Sequence, residues 1–252
     1  MSAVSHSLPP EQVVLQRFRK ALASYDHYAL VQRESARYLA QLIRTYTPPS
    51  PHVLEIGCGT GYLTRLLLSS LLPTRLIAND LIPEVHSYLP DHPSLEFLPG
   101  NAEELDYPSH LDVVTGGGVL QWIHKVARVC KKAYHALRPG GLIAFSIFGP
   151  LTMLEVSLLT GVSLPFRSLS WYVHTLRRTG FLPLWAEEKV YRLQFSNARE
   201  ALYHIKHTGT HGLGHTWKGS IRDLLARYED MWRSGTHVPL TYQVFWVIGR
   251  KR

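Results

Sequence analysis

Apolar positions along this chain change their period several times, and each change marks an element. From Gln12 to Tyr46 they recur at helical spacing, with Val14, Phe18 and Leu22, then Leu30, Leu39, Leu42 and Ile43. The cluster Thr47-Pro48-Pro49-Ser50-Pro51 ends that region, because proline offers no N–H to continue a helix. Short apolar runs then alternate with helical patterns. Val53 to Ile56 predicts a first strand, Leu76 to Asp80 a second, Leu95 to Leu98 a third and Leu111 to Thr115 a fourth. The spacing from Tyr62 to Leu67 predicts a helix after the first strand. Lys125 to Leu137 predicts another, stopped by Arg138-Pro139-Gly140-Gly141, and Leu142 to Ile147 reads as strand five. Strands alternating with helices imply an α/β fold with a parallel sheet wound on both sides.

The last third changes character. Trp171 to Arg178 is helical, Trp185 to Phe195 alternates as a strand, and helices are expected over Ala198 to Lys206 and Ile221 to Trp232. A final strand runs from Thr241 to Ile248. No internal repeat or linker interrupts the pattern, so one domain over residues 1–252 is expected, with residues 1–10 as a short disordered leader.

Composition narrows the class. Hydrophobic residues make up 45% and charged residues 18% of the 252, as in an ordinary soluble globule. The apolar run from Leu66 to Leu72 ends at Pro73 and is too short to cross a bilayer, so no membrane association is expected. The N-terminus lacks the basic start and apolar segment of a signal peptide. Two cysteines, Cys58 and Cys130, make no disulfide framework, and a reducing cytoplasm is the natural compartment. A formal charge of +8 favours an acidic partner. The basic residues are scattered, with no compact run beyond Arg250-Lys251-Arg252, which argues against nucleic acid.

The chemistry centres on Glu55-Ile56-Gly57-Cys58-Gly59-Thr60-Gly61, lying between the first strand and its helix. Glycines are needed where backbone turns sharply or lets a ligand approach, and the following helix presents unpaired N–H groups. A dinucleotide fingerprint would require a small residue at position 62, which is Tyr. Asp80 ends strand two about twenty residues on, where a carboxylate can accept both hydroxyls of a ribose.

The E-x-G-x-G-x-G pattern resembles the S-adenosylmethionine-binding loop of class I methyltransferases. That resemblance implies a Rossmann-like, mostly parallel seven-stranded sheet with an antiparallel last strand, N-terminal helices and a helical lid insertion. It places S-adenosylmethionine against Glu55, Gly57, Cys58, Gly59, Gly61, Asp80, Leu81, Asn101, Ala102, Gly116 and Gly117. Glu55 would meet the methionine amino group or simply fix the turn. Asn101, with the Ala102 N–H, would meet adenine. Glu103 and Glu104 are expected as exposed acids at a helix start. The Asn/Asp-Pro-Pro-aromatic signature of amine methylation is missing after strand four.

Further segments resemble the malonyl-acyl-carrier-protein O-methyltransferases of biotin synthesis. These are Tyr25-Asp26 with Ala29 and Gln32-Arg33, Leu120-Gln121-Trp122, Ala201 to Thr210, and Pro239-Leu240-Thr241-Tyr242. That family commonly carries Ser-Asn-apolar where this chain has Gly116-Gly117-Gly118, and the segment Leu151 to Leu164 is shorter than usual. The resemblance divides the chain into helices over 11–47, a cofactor-binding core over 51–149, substrate-side helices and lid over 150–180 and 197–235, and a last strand over 240–249. It implies methyl transfer to the free carboxylate of malonyl-acyl-carrier protein by a cytoplasmic monomer. Tyr25, Tyr242 and His207 are the candidate catalytic groups, with Arg33, Gln121, Trp122, Lys206 and Thr208 toward substrate. Arg33, Lys206, Arg222 and Arg227 are candidate docking cations for the acidic carrier. A different small-molecule O-methyltransferase, or a non-catalytic S-adenosylmethionine binder, would carry the same loop. His204, His207, His211 and His215 are spaced three, four and four apart, but intervening glycines and the lack of a completing acid or cysteine argue against a metal.

Overall fold

The computed structural model describes residues 5–6, 10–208, 217 and 219–252. Nine strands and eight α-helices occur among them: β1 Ser5–His6, α1 Glu11–Tyr28, α2 Leu30–Tyr46, β2 His52–Ile56, α3 Tyr62–Leu71, β3 Arg75–Asp80, β4 Leu95–Pro99, β5 Leu111–Gly117, α4 Val126–Ala136, β6 Leu137–Phe148, α5 Leu154–Thr160, β7 Val162–Ser163, α6 Leu169–Arg178, β8 Phe181–Phe195, α7 Ala198–His207, α8 Ile221–Trp232 and β9 Val238–Lys251. Seven strands form one sheet in the order β4-β3-β2-β5-β6-β9-β8. The pairs β3–β4, β2–β3, β2–β5 and β5–β6 are parallel. Lys251, at the end of β9, donates to the Leu137 carbonyl at the start of β6, 2.6 Å away, so β9 runs against its parallel neighbour. The expected mostly parallel sheet with an antiparallel last strand is therefore what forms. Between β2 and β5 the strand order reverses, and such a switch point opens a crevice at the strands' C-terminal ends.

The chain divides into two compact units. The larger comprises Leu30–Ile147, Ser168–Glu188 and Phe245–Arg252. Its sheet buries a run of side chains that includes Leu54, Ile56, Val114, Ile143, Phe145 and Phe245. Helix α2 buries Val31, Ser35, Ala36, Leu39, Ala40, Leu42 and Ile43 at helical spacing; its small alanines let a neighbour approach closely, and it packs on α3. Ser168 caps α6, its hydroxyl accepting the Trp171 N–H. Arg138-Pro139-Gly140-Gly141, expected as a stop before strand five, lies inside β6: Leu111 pairs with Leu137 and Val113 with Leu142, so the intervening residues loop out as a bulge.

The smaller unit comprises Met1–Ala29, Phe148–Arg167 and Lys189–Val244. Here α5 packs on α8, and α1 and α8 on α7. Asn197 caps α7 by accepting the Glu200 N–H. Buried Glu155 accepts from the Thr241 N–H and hydroxyl, and the Tyr228 hydroxyl donates to the Pro239 carbonyl at 2.6 Å. Strand β1 pairs with β7, which puts Ser5–His6, expected within a disordered leader, into a short parallel ladder.

Candidate functional site

At the switch point the glycine turn is held from both sides. Cys58 N–H donates to the Asn79 carbonyl at 2.9 Å, and Gly61 N–H closes back on the Cys58 carbonyl at the same distance. Gly57 has φ +67, and a Cβ there would lie 2.5 Å from Val119 Cγ2, so both backbone and space demand glycine. Gly59 has φ +52 and nothing within 4 Å of where its Cβ would stand. The turn therefore faces an open cradle. Asp80 sits beside it, Oδ2 accepting the Gly59 N–H at 2.8 Å and Oδ1 the Ile82 N–H at 2.9 Å. The carboxylate keeps acceptor capacity beyond these bonds, as gripping a ribose hydroxyl requires. Burial pushes the Asp80 carboxyl above its ordinary value, while N–H bonds from Ile82, Gly59 and Leu81 favour the ionised form.

Glu55 is fully buried, and the Thr64 hydroxyl on α3 donates to its Oε2 at 2.6 Å. Loss of hydration raises its carboxyl to about 8; the Asp80 charge pushes the same way, and the Thr64 bond and Arg65 oppose it. Glu55 thus fixes the strand-to-helix turn, one of its two expected roles. Thr64, invisible as a motif, is its partner. Cys58 is buried, and burial followed by the charges of Glu55 and Asp80 raises its thiol, leaving it a small, unreactive loop residue.

Asn101 follows β4, its Oδ1 accepting the Glu103 N–H at 2.9 Å, and buried Ala102 stands next to it. Asn79 pins this turn by donating to the Leu98 and Gly100 carbonyls. Glu103 is not the exposed helix-start acid the sequence suggested. It is 9% exposed, and its carboxylate accepts the backbone N–H groups of His124 and Lys125, tying this turn to the segment after β5. Glu104 is exposed.

Gly116 and Gly117 close β5 itself, paired with Phe145 and Ser146, and Gly118 N–H donates to the Ser146 carbonyl at 2.8 Å. The first two residues of the Gly116-Gly117-Gly118 run are therefore strand. A Cβ on Gly116 would lie 2.5 Å from the Ile56 carbonyl oxygen, so a side chain at that position would collide with β2 backbone. At Gly117 the nearest atoms, on Leu63 and Ser146, are 3.6 Å away, and a side chain fits. Gln121 donates to the Gly118 carbonyl at 2.6 Å and leaves its own Oε1 buried and unpartnered among the described residues. Trp122, half-buried, ends the same one-turn 3-10 helix, Leu120–Trp122. Open Gly59 and the acceptor Asp80 suit the ribose of a nucleoside, so these residues fit S-adenosylmethionine.

The smaller unit brings a second group of predicted residues together. The Tyr242 hydroxyl lies 3.2 Å from His204 Nε2, and both side chains are buried. Burial, then the neighbouring Tyr25 and Glu155, raises the Tyr242 phenol, which stays protonated. His204 is lowered to about 4 by burial and by His207, so its ring is neutral near pH 7. His207 packs at a tilt against the rings of Tyr203 and Tyr28, its Nδ1 2.8 Å from the Tyr203 carbonyl. Lys206 is exposed. Thr208 is fully buried and donates to the Ile205 carbonyl, closing α7 rather than presenting its hydroxyl outward. His211 and His215 lie outside the described residues; among those described, no three His, Cys, Asp or Glu side chains gather as a metal set would.

Comparison with known proteins agrees with this geometry. The family described as Methyltransferase domain matches residues 54–145. The chain is 34% identical over 256 residues to a malonyl-acyl-carrier protein O-methyltransferase of Bacteroides thetaiotaomicron, covering 95% of this chain and 98% of that one. It is 32% identical to the enzyme of the same name from Acinetobacter baylyi, covering 96% and 97%. The N-methyltransferase NodS of Bradyrhizobium japonicum, solved with S-adenosyl-L-homocysteine, superposes with a TM-score of 0.59 at 14% identity, covering 94% of this chain and 98% of NodS. An S-adenosylmethionine-dependent methyltransferase from Mesorhizobium loti gives 0.53 at 18% identity, covering 84% and 96%. Those structures share the fold; the sequence relatives, alike over nearly their whole length, place this chain in the malonyl-acyl-carrier protein O-methyltransferase family.

Proposed function

We propose that this enzyme transfers a methyl group from S-adenosylmethionine to the free carboxylate of malonyl-acyl-carrier protein, an early step of biotin synthesis. The observation that carries the reading is full-length similarity to enzymes of that name, joined to a glycine cradle with Asp80 that fits the donor. When bound, the donor supplies an electrophilic methyl on a sulfonium. The malonyl carboxylate is already ionised at pH 7, so no residue need remove a proton. An anion and a cation become two neutral products, and positioning with exclusion of water lowers the barrier.

An Arg salt bridge would orient the carboxylate but blunt its nucleophilicity. Neutral donors suit the task better, and protonated Tyr242 with neutral His204, beside Tyr25, is such a set. Lys206, Arg222 and Arg227, with the +8 net charge, favour encounter with an acidic carrier. No helix among the described residues is long and apolar enough to cross a membrane. A cytoplasmic monomer is the state this reading assigns.

The test incubates the protein with methyl-labelled S-adenosylmethionine and malonyl-acyl-carrier protein, then weighs the acyl arm by mass spectrometry. One added methyl on malonyl, and none on an acetyl control, is expected. Transfer to neither, with donor binding intact, would overturn the substrate assignment.

A further inference from the structure

The +8 charge is unevenly shared among the helices. Helices α1, α2, α7 and α8 each mix acids with bases, whereas α4 and α6 carry cations and no acid. His124, Arg128, Lys131 and His135 are exposed at intervals of four, three and four, one face of α4. His174 and Arg177 repeat that spacing on α6, with Arg178 exposed beside them. Lys125, Arg128, Lys131, Arg177 and Arg178 have no acidic partner among the described residues. Their neighbours differ: Arg138 pairs with Asp112, and Lys132 donates to the Glu103 carbonyl and lies over the Tyr107 ring.

The two helices share one surface of the larger unit. They pack on each other, and Tyr134 in the last turn of α4 stands at the end of α6. A Cβ on Gly180 would lie 2.7 Å from the Tyr134 ring, which also meets Phe181 edge-on at 5.2 Å. Both helices therefore run in the same direction. Helix α4 leads from the C-terminal end of β5 back to the start of β6, so its first turn lies at the edge where the crevice opens, directly after Gln121 and Trp122. Its 11 residues span about 16 Å.

Helix stability does not explain the cations at that edge. A helix N-terminus is partially positive and favours acids, yet Lys125 occupies the N-cap and Arg128 the first turn. The Glu103 carboxylate offsets the backbone end through the His124 and Lys125 N–H groups, but it is buried. Unpaired cations held where the fold disfavours them imply a partner that supplies negative charge.

We infer that the adjoining faces of α4 and α6 form the surface on which the acidic acyl-carrier protein docks. A carrier seated there stands beside Gln121 and Trp122, and its thioester arm enters the crevice past the first turn of α4. Neither helix exposes a Phe, Tyr or Trp to stack on bases, or a large apolar side chain to enter lipid, which favours a protein partner. Of the docking cations expected from the sequence, Arg33 has its Nε buried, Arg227 donates to the Leu159 carbonyl at 3.3 Å, and Lys206 and Arg222 are exposed. The inference rests on the carrier-methylation reading and adds the surface to it.

Steady-state kinetics on the full chain tests it, with S-adenosylhomocysteine calorimetry as the check on folding. Arg128→Glu and Arg177→Glu should each raise KM for malonyl-acyl-carrier protein roughly 10-fold, and together roughly 100-fold, with kcat and S-adenosylhomocysteine affinity unchanged. Wild-type KM should climb with sodium chloride, and that of the double variant should not. Arg44→Glu, the same charge change at an exposed position of α2, should move KM less than about 2-fold. Rises no larger than that of Arg44→Glu, or a wild-type KM indifferent to salt, would overturn the docking face and leave the methylation reading standing. Variants that keep carrier kinetics but lose a wild-type affinity for generic RNA or phosphatidylserine vesicles would give the face to that occupant and overturn the proposal. A wild type that methylates no malonyl-acyl-carrier protein would overturn the reading and the face together.

Discussion

Glu55→Gln isolates a buried carboxyl whose proton the fold retains. In the unfolded chain Glu55 titrates near 4.5; in the folded protein burial holds it to about 8. Holding the proton over that interval corresponds to about 5 kcal/mol at full development. The sign follows from proton counts. Below pH 4.5 both states carry the proton and the contribution is complete. Between pH 4.5 and about 8 the unfolded chain releases its proton while the folded protein keeps it, so stability falls as pH rises, then levels off. The substituted amide cannot ionise, yet its oxygen can still accept the Thr64 hydroxyl. Urea unfolding of the ligand-free protein at pH 5, 7 and 9 should show variant and wild type nearly equal at pH 5. The variant should be ahead by several kcal/mol at pH 9. Asp80, also raised, is present in both proteins, and its charge enters the difference only through its repulsion of ionised Glu55. A difference that stays constant from pH 5 to 9 would refute the burial argument.

Other outcomes follow from the same geometry. Gly116→Ala should lose about 1–3 kcal/mol through its collision with the Ile56 carbonyl, whereas Gly117→Asn should stay within about 0.5 kcal/mol; equal melting temperatures would contradict the spacing. His204, lowered to about 4, should stay neutral on NMR titration down to pH 5, and its contribution to stability should be intact above pH 6.5 and lost as pH falls toward 4. An imidazole titrating near 6.5 would show the ring to be solvated. Tyr242→Phe, which removes the hydroxyl beside His204, and Tyr25→Phe should each lower turnover on malonyl-acyl-carrier protein with donor affinity unchanged; unaltered turnover in both would remove these residues from the substrate site.

What the sequence determined alone is whatever short-range chemistry encodes. Alternating periods located the five core strands and the helices α7 and α8 because side-chain direction repeats within a few residues. Glycines at 57, 59 and 61 announced a turn because a positive φ is a local demand, and Asp80 was legible from its distance beyond that turn. The tertiary structure decided the rest, because burial is conferred by partners far away in the chain. Glu103 became a buried acceptor through backbone 21 residues further on, and Gly116 became obligatory only when β2 brought the Ile56 carbonyl against it. His204 and Tyr242 met across 38 residues. The cations of α4 and α6 became one face only once the two helices packed side by side, for a surface gathers residues that the chain keeps apart.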